Sequence, residues 1–279
     1  MKESGESMLH RIYTIASAGF KEDRRGWFLY ILPIFTVIVV LAPLGIMQHH
    51  VNPYMYIRTA QEAGLTGIMT FGMFIVIFMG GGSVNKDVER KTIYMIITKP
   101  VRRWEYIAGR FLGLSFCAGV AIVVLTAATF LSILLISYHM YGYYHLWWSI
   151  GSMLRGYVFL AIVYSYLSLL ILIAVSLLFS TFTPSVVAYI LTFLIYLVGN
   201  VSGMITALER RSDSMMVKVL LRLFYYAIPD FQNLDLRPFA VYGFAPHVRY
   251  LTSLAVYACV YIVIALMVAA FVFGRREIR

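Results

Sequence analysis

Long stretches without any charged residue alternate along this chain with short charged segments. Five stretches contain no Asp, Glu, Lys or Arg: residues 26–57, 63–85, 111–154, 156–208 and 250–274. A membrane-spanning helix needs about 20 apolar residues, and a charge at its centre costs about 2.5 kcal/mol or more. A helix on the surface of a soluble domain instead shows a polar face to water. The pattern is therefore typical of a chain that crosses a membrane several times.

The charge-free stretches divide into six predicted membrane spans. Residues 156–208 are too many for one helix, and Pro184 lies where a helix must break because proline cannot continue it. Pro33 and Pro43 are expected to kink the first span. The predicted spans cover approximately residues 27–47, 65–82, 107–138, 156–179, 185–204 and 251–273. We therefore expect an all-α polytopic membrane protein in which residues 1–279 form a single transmembrane domain.

Basic residues are distributed unequally between the connections that join these spans. With a cytoplasmic N-terminus, 15 Lys and Arg residues fall on the cytoplasmic side and eight on the other. Basic connections stay in the cytoplasm, so both termini are expected inside and the location is expected to be the cytoplasmic (inner) membrane. Six of the opposing eight lie between Arg210 and Arg249. That loop is long and counts less, because long loops cross a membrane largely regardless of charge.

An amphipathic helix is predicted on each side of the membrane. Residues 1–26 carry an apolar stripe at helical spacing, so we expect a surface helix that lies on the cytoplasmic face and contacts lipid. The residues of this stripe include Leu9, Ile12, Tyr13 and Phe20. A second stripe begins at Met216 and ends before Pro229, with Lys218 and Arg222 on the opposite face. It predicts an interfacial or re-entrant helix on the outer side, or an ordinary loop helix packed on the bundle.

The segment from Asn85 to Pro100 is the largest predicted cytoplasmic connection, and its charges are mixed. Asp87 and Lys91 are four residues apart, a favourable ion-pair spacing in a helix, and apolar residues share one face of the same segment. A solvated loop that is merely basic needs neither feature. We therefore favour a helix that docks a partner over a plain solvated loop. The residues expected at the docking surface are Asp87, Glu89, Arg90, Lys91, Thr92, Lys99, Pro100 and Arg103.

Composition agrees with a protein whose mass lies mostly in the membrane. Only 13% of the residues are charged, against about 25% in soluble domains. Cys117 and Cys259 both fall within apolar stretches, where free cysteines are usually buried small hydrophobes. No separate soluble domain is therefore expected.

Several kinds of functional site are missing from the sequence. No Gly-x4-Gly-Lys-Ser/Thr phosphate loop occurs, so ATP is not expected to bind in the P-loop manner. The spans hold no paired carboxylates or His pair for intramembrane catalysis, and the histidines lack a metal-ligand spacing. We expect no catalytic, cofactor-binding or metal-binding residue, and we expect the energy for any transport to come from another protein.

The docking segment and the start of the third span resemble a known family. Residues 87–94, 98–103 and 106–113 follow one another in an order that is similar to that in ABC-2-type transporter permeases, in particular the nitrous-oxide-reductase maturation branch. Residues 225–231 look like the family's proline-aromatic element before the last span. The positions that match the family pattern are Glu89, Lys91, Thr92, Pro100, Arg103 and Gly109, and Arg110 stands where Lys is commoner.

This resemblance implies a half-transporter with six spans, an N-terminal surface helix and the type V exporter-like architecture. Two permeases would pair, as a homodimer or a heterodimer, and each would dock a separate ABC ATPase through the surface helix and the segment from Asn85 to Pro100. The chain itself would then be a transport subunit and not an enzyme. Its expected partners are two copies of the ATPase, the second permease and membrane lipids, with no cofactor and no nucleic acid.

Small residues in spans two and five are candidates for the contact between two permeases. Small side chains let helix backbones approach closely in lipid, where no hydrophobic force drives association. The alternative is that the same residues pack spans within one subunit. The candidates are Gly80, Gly81, Gly199, Asn200 and Gly203.

Two other functions stay open from the sequence. One is a membrane scaffold for assembling a cofactor or complex, and the other, less compatible with spans that lack carboxylates, is an intramembrane enzyme. A neighbouring reading frame with a P-loop would favour the transporter. The sequence does not identify the cargo, although charge-free spans favour a lipid-like or amphipathic molecule over a small inorganic ion.

Overall fold

The computed structural model describes residues 3–23, 29–46, 53–89, 102–141, 150–151, 156–211, 214–244 and 246–275. Every secondary-structure element in these residues is a helix. The elements are α1 (Glu3–Asp23), α2 (Leu29–Ile46), α3 (Pro53–Glu89), α4 (Arg103–Tyr141), α5 (Gly156–Ser180), α6 (Ser185–Asn200), α7 (Ser202–Arg211), α8 (Met215–Ala227), α9 (Phe231–Leu234), α10 (Arg237–Tyr242) and α11 (Val248–Arg275). The all-α class expected from the charge-free stretches is confirmed.

Four of the described helices, α3, α4, α5 and α11, are long and apolar enough to cross a membrane. A fifth crossing is present if α6 and α7, which meet at a bend of 65°, form one span. The apolar helix α2 has 18 residues. At 1.5 Å per residue it is about 27 Å long, slightly less than the hydrocarbon core of about 30 Å. The chain is therefore a multi-pass helical membrane protein, and the count of six spans stays a prediction.

The central helix of the bundle is α5. It packs against α3, α4 and α11, and its buried side chains include Leu169, Ile171, Leu172 and Ala174. A helix that is apolar on every face has no side that favours water, so it suits the interior of the bundle. The surrounding helices expose large apolar side chains on their outer faces, as expected for surfaces in lipid.

Both α3 and α4 extend beyond the membrane spans predicted for them. α3 begins at Pro53, 12 residues before the predicted start at Leu65, and continues to Glu89. α4 runs from Arg103 to Tyr141. Caps, prolines and packing set helix ends, whereas the absence of charge reports only how much of the chain lies in lipid. The two helices therefore continue past the apolar segment on the side where they flank residues 90–101.

The chain bends by 65° between α6 and α7, where the sequence predicts one continuous span. Val201 separates the two helices. Ser202 Oγ donates to Asp230 Oδ1 at 2.8 Å, and the Gly203 N–H donates to Gln232 Oε1 at 2.9 Å. Asp230 and Gln232 thus accept hydrogen bonds from the Ser202 hydroxyl and the Gly203 N–H at the break between the two helices. The span predicted over residues 185–204 therefore covers α6 and the beginning of α7, with a bend at Val201, and it stays a prediction.

The surface helix predicted at the N-terminus is present as α1, and it packs on α4. Ile12 is buried, and the Phe20 ring meets the Phe116 ring of α4 edge-on with centroids 4.8 Å apart. Tyr13, which was expected in the apolar stripe, is exposed. The side chain of Leu9 lies outside the described residues. The stripe thus correctly predicted a helix at the N-terminus, and its contact with lipid through residues such as Tyr13 stays a prediction.

The amphipathic helix predicted after the fifth span is present as α8. Its Met215 and Met216 are exposed, and Arg222 donates to Glu209 of α7 at 2.7 Å. Apolar side chains on an exposed helix face favour an interfacial position over packing on the bundle.

Candidate functional site

Charged side chains of α1, α3 and α4 converge at the end of the bundle where α3 ends and α4 begins. We call this group the charged cluster. It consists of Arg11 and Glu22 of α1, Asp87 of α3, and Glu105 and Arg110 of α4. Asp87 belongs to the segment from Asn85 to Pro100, which the sequence predicts to dock a partner, and the other members of the cluster lie on α1 and α4.

Arg110 lies at the centre of the charged cluster. Its Nε donates to Asp87 Oδ2 at 2.9 Å, and its Nη2 donates to Asp87 Oδ1 at 2.7 Å. The same Nη2 lies 3.4 Å from the Ser83 carbonyl oxygen and 3.6 Å from the Glu22 carboxylate. The Tyr106 hydroxyl donates to Asp87 Oδ2 as well. Two parallel bonds are the strong, directional arrangement of arginine with a carboxylate, and here they join the last turns of α3 to the second turn of α4.

Both charges of the central pair are buried. Asp87 is 4% exposed and Arg110 is 3% exposed. Taking two charges out of water is costly, so such a pair persists only where hydrogen bonds satisfy each member. The same geometry explains why an arginine can occur inside the predicted third span: its guanidinium faces the protein and not the lipid.

Glu105 connects α1 to the first turn of α4. Its Oε1 accepts from Arg11 Nη2 at 3.3 Å, and its Oε2 accepts from the Arg102 N–H at 3.1 Å. Because α4 begins at Arg103, Glu105 is the third helical residue and reaches back to the N-cap position, as in a capping box. A carboxylate in the first turn also interacts favourably with the helix dipole. One buried side chain therefore both starts α4 and anchors α1.

Two glycines four residues apart let α1 approach α4 closely. A Cβ at Gly109 would lie 2.7 Å from Cγ2 of Ile15, and a Cβ at Gly113 would lie 2.9 Å from the carbonyl oxygen of Ala16. Both distances are shorter than van der Waals contact, so a larger residue would push the helices apart. Small residues at this spacing are a common device for close helix packing in membranes. α1 is therefore held by close backbone packing as well as by its ion pairs.

The charged cluster is a network of ion pairs that joins three helices. Its acids and bases bind one another across three helices. Within the described part of the chain, no group of three or more His, Cys, Asp or Glu could hold a metal ion. A hydrogen-bonded network of buried charges rigidifies the elements that it joins. The network therefore joins α1, α3 and α4 at this end of the bundle.

Part of the predicted docking surface can be located in the structure. Arg90, Lys91, Thr92, Lys99 and Pro100, with the side chain of Glu89, lie outside the described residues. Asp87 faces the bundle, where it binds Arg110 and Tyr106. Arg103 donates to the carbonyl oxygens of Phe273 and Gly274 at the end of α11. Asp87 and Arg103 thus bind groups within the bundle, and the docking surface itself stays a prediction.

Sequence reasoning missed the contributions of Arg11, Glu22 and Glu105 to this site. It assigned Arg110 no role beyond a match to the family pattern. A signal for Arg110 was present, because an ionisable residue inside a predicted span implies a polar partner in the protein. No comparable signal pairs Arg11 with Glu105, because 94 residues separate them in the chain.

The glycines of span two that were candidates for a contact between two permeases pack inside this chain. A Cβ at Gly80 would lie 2.5 Å from Ser176 Oγ of α5, and a Cβ at Gly81 would lie 2.5 Å from Cδ1 of Tyr189 in α6. Side chains of α5 and α6 therefore already occupy the space beside Gly80 and Gly81.

The candidates in span five are also used within the chain. Gly199 lies against the Pro229 carbonyl, and a Cβ at Gly203 would lie 3.0 Å from Gln232 Oε1. Asn200 Nδ2 donates to the carbonyl of Tyr196, one turn earlier, at 2.8 Å. These contacts match the alternative in which small residues pack spans within one subunit. The physical reason is that Phe231 and Gln232 of α9 pack beside Gly199 and Gly203, although about 30 residues of chain separate them.

Comparison with known protein families gives a match over nearly the whole chain. Residues 13–278 match the family model described as ABC-2 family transporter protein. No curated protein is similar enough to the chain to count as a match. The matched range includes the docking segment and every residue of the charged cluster except Arg11.

Proposed function

Since the chain belongs to the ABC-2 family of transporter proteins, we propose that it is the permease subunit of an exporter in the cytoplasmic membrane. Proteins of this family are membrane subunits that work with ABC ATPases and are not themselves catalytic. In our proposal a separate ATPase, present in two copies, drives a pair of permeases that form a homodimer or a heterodimer. The relation to the nitrous-oxide-reductase maturation branch stays a prediction.

One observation supports the proposed coupling to an ATPase: the charged cluster joins α3, which precedes residues 90–101, to α4, which follows them. Asp87 lies in the last turn of α3 before this segment, and Glu105 and Arg110 lie in the first two turns of α4 after it. The buried Asp87–Arg110 pair joins the two ends, and α1 is fixed to the same place. Because α1, α3 and α4 are joined in this way, a movement of the ATPase at the docking segment would shift these helices together.

The long helix α3 offers a route from the docking segment across the membrane. It has 37 residues, or about 55 Å at 1.5 Å per residue. α3 packs on α5 and α6 as well as on α4. In the proposed mechanism, ATP-driven movement of the ATPase pushes on residues 90–101, and α3 and α4 shift as rigid elements against a partner permease to open a path.

The docking proposal is tested by reversing two charges at the end of α3. The double substitution Glu89→Lys with Arg90→Glu is expected to reduce co-purification of the ATPase at least tenfold, because reversed charges across an interface repel where they had attracted. The amount of permease in the membrane should not change, since Asp87 and Arg110 themselves are left as they are. The measurement is the molar ratio of ATPase to permease after affinity purification of the tagged permease.

The matched control reverses an ion pair at the other end of the molecule. Glu209→Lys with Arg222→Glu exchanges the charges of α7 and α8 and should leave the ATPase ratio at the wild-type value. An unchanged ratio in the Glu89/Arg90 variant would remove residues 89–90 from the docking surface. Binding of the ATPase with no stimulation of ATP hydrolysis would instead favour the scaffold alternative.

The proposed topology places both termini in the cytoplasm and α8 on the outer side. A cysteine introduced at the exposed Ser214, in a background lacking Cys117 and Cys259, is expected to react with an impermeant thiol reagent added to intact cells. Labelling is measured by mass shift of the purified protein. A cysteine at exposed Ala18 in α1 is the control and should react only after lysis. The reverse pattern would contradict the proposed orientation.

A further inference from the structure

An open groove lies between α2 and α3, away from the charged cluster. Its volume is about 480 Å³, within the range of about 300–1,000 Å³ that is typical of small-molecule sites. Ile38, Val39 and Ala42 of α2 form one wall. The other wall is the stretch of α3 between Thr59 and Phe71. The groove is apolar on the α2 side and carries a polar stripe on the α3 side.

The polar stripe of α3 consists of Thr59, Glu62, Thr66 and Thr70, at spacings of three and four residues on one helix face. Threonines in apolar helices usually bond back to the carbonyl four residues earlier, which satisfies the hydroxyl. Thr59 does so here, bonding to the Met55 carbonyl at 3.0 Å. Thr66 and Thr70 make no hydrogen bond within the described part of the chain. Two hydroxyls in the groove are therefore available to a ligand.

Glu62 is the one charged residue that lines the groove within the described part of the chain, and its side chain is exposed. The nearby guanidinium of Arg237 is bound to Asp235 by hydrogen bonds of 2.7 and 2.6 Å. Those hydrogen bonds raise the pKa of Arg237 above its ordinary value, so its charge persists and is matched by Asp235. Arg58 lies one turn before Glu62 but does not line the groove. Glu62 forms no ion pair within the described part of the chain, although it lies near enough to Arg237 to contribute to the raised pKa of that guanidinium. The groove therefore presents a carboxylate that is not ion-paired.

The position of Glu62 along α3 sets the shape of a fitting ligand. The charge-free residues 63–85 that follow it span about 34 Å as a helix, close to the thickness of a hydrocarbon core. Glu62 therefore lies at one boundary of the core, which is the outer boundary in the proposed topology. From Thr59 to Phe71 the groove runs along 12 residues of helix, or about 18 Å towards the middle of the membrane.

We propose that the α2–α3 groove binds an amphiphile with an ammonium headgroup. The ammonium lies at the Glu62 carboxylate, Thr66 and Thr70 offer hydroxyls to the polar part below it, and the hydrocarbon chain follows Ile38 and Val39. A carboxylate at the boundary selects a cation, and the apolar wall selects a chain that would otherwise lie in lipid. The proposal names a cargo class for the exporter and rests on the proposed function for that role, whereas binding itself does not need an ATPase.

The test uses the full-length permease in nanodiscs of zwitterionic lipid, without an ATPase. A dodecylammonium probe with a diazirine in its chain is photo-cross-linked and mapped by peptide mass spectrometry. We expect labelling on residues 38–42 and 59–71, and competition by dodecylammonium at about tenfold lower concentration than by dodecanol or dodecyl sulfate, as one charge-assisted hydrogen bond would provide. Glu62→Gln should abolish that preference, and Thr66→Val with Thr70→Val should weaken binding several-fold.

Matched variants separate the groove from general partitioning into lipid. Glu209→Gln removes a carboxylate that does not line the groove and should leave labelling unchanged. Equal labelling of all lipid-facing helices, or an unchanged preference for the ammonium in Glu62→Gln, would overturn the proposal. Because no ATPase is present, failure here leaves the docking result standing, and failure of ATPase co-purification leaves the binding result standing.

Discussion

Replacing Asp87 with alanine is expected to destabilise the permease strongly. Arg110, 3% exposed, would keep its charge but lose the carboxylate that binds it through two hydrogen bonds, while Glu22 stays 3.6 Å away. Removing one partner of a buried ion pair typically costs about 3–5 kcal/mol, because the other charge stays buried without its hydrogen-bonded partner. The measurement is the midpoint of thermal unfolding of the purified full-length protein, which should fall by roughly 10 °C.

A double substitution distinguishes the ion pair from simple packing at this site. Asp87→Asn with Arg110→Gln removes both charges and is expected to recover much of the lost stability, since no unmatched charge remains. Arg222→Gln, at the exposed pair of α7 and α8, should change the midpoint little. If the double variant is as unstable as Asp87→Ala, the charges are not the source of the loss.

The same double variant also tests the role proposed for the pair in transmission. With stability largely recovered, the ATPase should still bind, but ATP-driven transport should fall because α3 and α4 are no longer joined at the docking segment. Normal transport by a stable double variant would mean that the pair only stabilises the fold. This result would leave the docking surface untouched.

Gly113→Ala is expected to loosen α1 from the bundle. The added Cβ would lie 2.9 Å from the carbonyl oxygen of Ala16, and backbone atoms cannot move aside as a flexible side chain can. Overpacking of this kind typically costs about 1–3 kcal/mol. Hydrogen exchange of the α1 amides should therefore become faster by about tenfold or more, and ATPase co-purification should fall if α1 forms part of the docking surface.

The control for this substitution lies on the same helix. A Cβ at Gly119 would lie 3.7 Å from the Tyr166 hydroxyl oxygen, an ordinary contact. Gly119→Ala carries the same gain in helix propensity and should leave exchange in α1 unchanged. Equal exchange rates in the two variants would show that close packing at Gly113 does not hold α1.

The sequence predicted the properties that depend on local chemistry. Absence of charge over residues 63–85 and 250–274 identified α3 and α11 as membrane helices, because lipid excludes charges wherever the rest of the chain lies. Helical spacing predicted the amphipathic α1 and α8. The order of motifs between Asp87 and Gly113 identified the family that the match over residues 13–278 confirms.

What the sequence left undecided depends on which helices meet. Pairing of Arg11 with Glu105, the fit of α1 against Gly113, and the bend at Val201 beside Asp230 all join residues far apart in the chain. The sequence also does not show whether Gly81 faces a second permease or its own chain, and in the structure Tyr189 of α6 covers it. Local sequence patterns indicate whether a segment lies in lipid or in water. The tertiary structure alone decides which charges neutralise one another and which surfaces stay open, because those depend on the geometry of the assembled helices.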